Sequence, residues 1–191
     1  MQNARIFALV FTLSTIGSAS GAQQTGMPAA QTFTFSGEML RGYQGLQRDL
    51  SDTAEKMPDE HYSFRPTPEI KPFGQLVAHV ALAQFRTCAM LKGEPSPRKD
   101  EKEDASRTKA EAIALLKAST AYCDPLVTPL TETSMTELAK VGQNQVAKGL
   151  VPASLIAHGM EMYGTMAVYL RLKGIVPPTT ERQNEQMKKG S

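Results

Sequence analysis

Tryptophan is absent from the 191 residues, aromatic side chains make up only 6%, and cysteine occurs twice. So small an aromatic supply argues against a sandwich or barrel of strands, whose faces are built from aromatic and β-branched side chains. Charge of one sign is lacking too: 21 basic residues against 19 acidic ones leave a net charge of +2. That excludes the basic footprint of a nucleic-acid or anionic-membrane binder. No apolar run is long enough to span a bilayer, which takes about 20 residues. What is present is 41% hydrophobic and 21% charged residues, the balance of one globular domain, and ten methionines, flexible fillers suited to packed helices.

The first segment has the character of an address. Arg5 precedes the apolar stretch from Ile6 to Phe11, which continues through Leu13 and Ile16, and Gly17 to Ala22 are all small. Residues 1–22 are thus expected to be a secretory signal peptide, cut after Ala22 or after Ser20, with residues 23–32 a flexible leader. No cysteine follows to carry a lipid, so no stable membrane anchor is expected after cleavage, and the mature chain is expected to be periplasmic or extracellular. Cys88 and Cys123 fit no CxxC spacing, which removes the common zinc and thioredoxin-type patterns. In an exported chain two lone thiols tend to form one disulfide; the alternative is two separated, buried small hydrophobes.

Apolar periodicity predicts four helices and no strands. Met39, Tyr43, Leu46, Leu50, Ala54 and Met57 mark the first, from Ser36 to Met57, stopped by Pro58. The second starts near Pro72, carries Phe73, Leu76, Val77, Val80, Gln84, Cys88 and Leu91, and ends at Gly93. Glu94 to Asp104 is a charged crossover loop, and a third helix is predicted from Ala105 to Tyr122, closed or kinked at Pro125. Thr131 to Gly149 gives no firm pattern beyond a short helix around Met135 to Val141. The fourth helix opens at Pro152, carries Leu155, His158, Met162, Met166 and Tyr169, and stops at Gly174; residues 181–191 are a polar, frayed tail. Four such stripes make an all-α four-helix bundle. If the long loop is a crossover, the second and third helices run parallel and both thiols lie at one end; an antiparallel pair would separate them beyond bonding distance.

Only histidines offer chemistry. His61 lies in a proline-rich loop and is read as a solvated side chain. His79, beside the Leu76–Val80 stripe, and His158, in the fourth stripe, are either hydrogen-bonded core residues or ligands to one metal between facing helices.

The run Phe73-Gly74-Gln75-Leu76-Val77-Ala78-His79-Val80-Ala81, followed by His158 to Gly164 and by Tyr169-Leu170-Arg171-Leu172-Lys173-Gly174-Ile175-Val176-Pro177-Pro178, resembles the DinB-like family over residues 33–180. The resemblance implies a four-helix bundle with parallel second and third helices and a divalent metal on three histidines. One comes from the second helix and two, spaced HxxxH, from the fourth. It implies that His79 and His158 are two of those ligands and that Met162 stands where the third belongs. A thioether binds Zn, Ni or Fe poorly, so the site is expected to be degenerate. Tyr163, Tyr169 and Arg171 share the resemblance but need only packing and helix-end roles.

Three functions follow as expectations. The chain is an exported bundle that binds a small molecule or a partner, a homodimer included. Alternatively it is a metal-dependent hydrolase or thiol transferase of the DinB-like kind. Finally, His79, His158 and Met162 form a soft copper site, to which a thioether is suited.

Overall fold

Three of the four long helices form where the apolar stripes place them. Thr34 caps the first by accepting from the amide of Gly37, and α1 (Phe35–Lys56) turns Tyr43, Leu46, Leu50 and Ala54 into the core. A short 3-10 turn, Asp59–His61, leads to α2 (Phe73–Lys92), which ends at Gly93 with a left-handed φ of 66°. The computed structural model describes residues 33–190; the predicted signal peptide, its cleavage point and the leader of residues 23–32 lie outside the described residues.

The third helix starts later and ends later than its apolar pattern suggests. Thr108 and Glu111 form a reciprocal capping box, so α3 (Lys109–Val127) begins after Thr108 rather than at Ala105. Pro125 neither closes nor stops it. Pro125 and Ala121 both lie on the exposed face, so the carbonyl that loses its amide partner is left facing water.

The segment without a clear pattern forms one helical turn, α4 (Glu132–Thr136), and a hairpin of β1 (Leu138–Val141) and β2 (Asn144–Ala147). This corrects two expectations, a helix around Met135 to Val141 and a chain without strands. Val141 pairs with Asn144 across a two-residue loop whose Gly142 has φ 61°, the position where such a hairpin requires a positive φ. Next comes α5 (Leu150–Leu172), and the residues expected to fray form α6 (Pro178–Lys189). Polar contacts seat α6: Arg182 binds Asp49 and Asp52 on α1, Lys56 binds Glu181, and Thr179 donates to the Tyr163 hydroxyl. No helix among the described residues is long and apolar enough to cross a membrane.

Helix directions follow from paired contacts. Gln84 meets Ser119 and Cys88 bonds to Cys123, both across a sequence separation of 35, so α2 and α3 run parallel. The Cys88–Cys123 disulfide, with a Cα–Cα distance of 5.5 Å, ties their ends. Tyr43 donates to Asp124 and Thr120 to Gln47, which makes α1 and α3 antiparallel. Tyr169 donates to the Lys71 carbonyl just before α2, while His158 meets His79, so α2 and α5 are antiparallel. Gly42 faces Ile156 and Gly159 faces Leu46, so α1 and α5 are parallel.

Gly159 lets α1 and α5 approach: a Cβ there would stand 2.3 Å from Cδ2 of Leu46, a core residue. Gly159→Val is therefore expected to lower stability by about 2 kcal/mol, the midrange of overpacking. Gly164 on the same helix has open space at its Cβ position, and Gly164→Ala should be neutral or stabilising by up to about 1 kcal/mol. Urea denaturation of the two variants separates these outcomes.

Candidate functional site

The antiparallel crossing of α2 and α5 brings His79 and His158 together. Leu76, Val77 and Val80 fill the core face of α2, which leaves His79 at the edge of that face. Gly159 seats α5 on Leu46, and His158, one residue earlier, sits at the matching edge of α5. Both rings are part-buried, so His158 borders the inner stripe rather than occupying it. The two Nε2 atoms are 3.3 Å apart, and the ring centroids 5.2 Å with planes inclined by 61°.

Behind His79 stands a residue that periodicity did not flag. Glu103, in the crossover loop between α2 and α3, places Oε2 3.0 Å from His79 Nδ1, while Arg86 Nη1 donates to its Oε1 at 2.9 Å. A loop has no apolar period, so nothing in the sequence distinguished Glu103 from the charged residues around it. Burial pushes the Glu103 carboxyl upward, but the hydrogen bonds from His79 and Arg86 outweigh it and hold the group below its usual range. Burial, and then the neighbouring His79, push His158 below the ordinary imidazole value, favouring its neutral form.

Neutral imidazoles are the ligand form of histidine. At the usual Zn–N length of about 2.0–2.1 Å, two nitrogens around a tetrahedral ion lie about 3.3–3.4 Å apart. The 3.3 Å separation of the Nε2 atoms fits that spacing, so the pair suits two positions of such an ion. It offers no more than two: among the described residues no group of three or more His, Cys, Asp or Glu side chains could hold a metal. Met162, one turn after His158, is half-buried and packs against the main core. Its methyl thioether has a packing role whatever else it does.

The other residues singled out in the sequence lie outside the pair. His61 ends the 3-10 turn and donates its amide to the Pro58 carbonyl. Tyr163 and Tyr169 hold neighbouring segments through Thr179 and the Lys71 carbonyl. Arg171 donates to Thr180 on α6, so its partner is a hydroxyl rather than the carbonyls at the end of its own helix.

The sequence profile of the DinB superfamily matches residues 43–161, more than half of the chain. The chain belongs to the DinB superfamily. The match includes His79 and His158 and stops one residue before Met162. Among solved structures, a DinB-like protein from Bacillus cereus superposes with a TM-score of 0.59 at 16% identity, covering 73% of this chain and 93% of its own. YjoA, a DinB-like protein from Bacillus subtilis, gives a TM-score of 0.58 at 20% identity, with 72% and 92% covered. YfiT from Bacillus subtilis gives 0.57 at 12% identity, with 78% and 94% covered, and is described as a probable metal-dependent hydrolase with an unusual four-helix bundle topology. At these identities the likeness establishes the DinB fold. Among curated proteins none is significantly similar to this DinB chain.

Proposed function

We propose that this DinB bundle is an exported binding protein whose metal site has been reduced to the His79 and His158 pair. It takes a small molecule or a partner, and a divalent ion is held only weakly. The observation that carries this reading is the donor set: two Nε2 atoms at 3.3 Å, with a methionine one turn along α5 where the family resemblance puts a third imidazole. Catalytic zinc sites keep three protein ligands and an open position. Losing one of three removes both affinity and a fixed ion geometry. Export rests on the small-residue segment after the apolar start of the sequence and is part of the same proposal.

A second reading, a metal-dependent hydrolase, is favoured by one observation: Glu103 braces His79 from behind, as outer-shell carboxylates brace metal-bound histidines. A divalent ion at the pair would supply Lewis acidity. His79 and His158 would hold it and Glu103 would orient the first of them.

Titration of untagged native protein with Zn, Ni and Cu(I) tests these readings. Binding of Zn or Ni too weak to survive gel filtration, and abolished by His79→Ala, is the expected result. Tight one-to-one binding of Zn or Ni supports the hydrolase reading instead. Tight Cu(I) binding that is lost in Met162→Leu indicates a soft His/Met site.

A further inference from the structure

We infer that Glu103 is the positioning residue of the histidine pair: it keeps the ring proton of His79 on Nδ1 and so leaves the Nε2 lone pair facing His158. This role rests on the ligand reading proposed above and extends it from the two helices to the crossover loop.

An ionised carboxylate can only accept hydrogen bonds. The 3.0 Å contact between Glu103 Oε2 and His79 Nδ1 therefore requires the proton on Nδ1, and a neutral imidazole then has none on Nε2. The opposite tautomer would set two lone pairs against each other at that contact and turn an N–H toward His158. With His79 fixed in this way, the His158 Nε2–H can donate across the 3.3 Å gap, or both lone pairs can converge on one ligand.

Glu103 is itself held at several points. Its other oxygen accepts from Arg86, two turns after His79 on α2, so one carboxylate spans two side chains of the same helix. The backbone on either side is tied as well: Arg107 donates to the Lys102 carbonyl at 2.9 Å, and Gln75 donates to the Asp104 carbonyl at 2.7 Å. A carboxylate needed only for solubility would not be anchored through both oxygens and both flanking carbonyls. The neighbouring acid Glu101 pairs instead with Arg98 and Arg107, away from the histidines.

Long-range ¹⁵N–¹H correlation spectra of the metal-free full chain read the tautomer directly. In spectra of the neutral ring, native protein is expected to show His79 protonated at Nδ1 and bare at Nε2. Glu103→Ala should shift His79 toward the Nε2–H form. Glu103→Gln keeps one acceptor oxygen, which Arg86 claims, so its NH2 faces Nδ1 and should likewise favour the Nε2–H form, whereas Glu101→Gln should retain the native pattern. In a parallel zinc titration Glu103→Ala should weaken binding by roughly 10–100-fold, as loss of an outer-shell partner does. His79 found as Nε2–H in native protein, or unchanged in Glu103→Ala, overturns the positioning role even if zinc binds well. If the tautomer shifts as expected but native protein takes up no zinc, the positioning role stands and only the ligand reading falls.

Discussion

Met162→His is expected to turn weak ion binding into stoichiometric binding of Zn or Ni. Position 162 lies four residues after His158 on α5, so the new imidazole projects from the same side of the helix. Together with His79 it would complete a three-imidazole set, the number that catalytic zinc sites commonly use. Outer-shell partners change affinity by roughly 10–100-fold, and a direct ligand should exceed that range. The core must accept the change, because Met162 packs against the main hydrophobic cluster and imidazole is more polar than a thioether. A modest loss of metal-free stability, recovered when zinc is added, is the accompanying expectation. Isothermal titration and thermal unfolding with and without zinc check both parts. Unchanged affinity in a folded Met162→His protein would falsify the broken-triad account.

Loss of the Cys88–Cys123 bridge should have the largest effect on stability. The two residues are separated by 35 positions, and closing a loop of that length removes about 4 kcal/mol of chain entropy from the unfolded state. In a domain of this size, that corresponds to a drop in Tm of roughly 10 °C. Both cysteines are fully buried beside Tyr43, Val127, Val151 and Leu155, so the paired substitution to alanine adds a small packing loss. Thermal unfolding of Cys88→Ala/Cys123→Ala, compared with oxidised and reduced native protein, measures the effect. Reduced native protein should unfold close to the double variant; equal midpoints for all three would show that the crosslink contributes nothing.

The helices were legible because their core faces repeat every three to four residues, as Tyr43, Leu46, Leu50 and Ala54 do. His79 and His158 could be found because both lie beside such stripes. The start of α3 was placed too early, at Ala105, because the apolar pattern carries no information about the Thr108–Glu111 capping box that opens the helix. Three features left no comparable signal. Glu103 acts from a loop, where only folding decides which carboxylate meets an imidazole. The helix α6 is seated through Arg182, Lys56 and Thr179, with Pro178 its buried apolar residue, so its sequence reads as a tail. The hairpin strands have four residues each and turn through Gly142-Gln143, which lacks the Asn-Gly or Asp-Gly pair that marks such turns most clearly.

The pairing of α1 with α5 bears on how the molecule comes together. Leu46 and Gly159 touch although about 110 residues of chain lie between them. Simple up-and-down bundles zip from one short hairpin to the next, whereas here the first rod meets the third and the last long one, both distant in sequence. During synthesis the side of α1 that carries Leu46 must stay exposed until α5 has left the ribosome, although Tyr43 and Gln47 can already meet α3. Newly made, unfinished chains are therefore where holdase chaperones would act on this protein, and its folding rate should fall below that of up-and-down bundles of similar size.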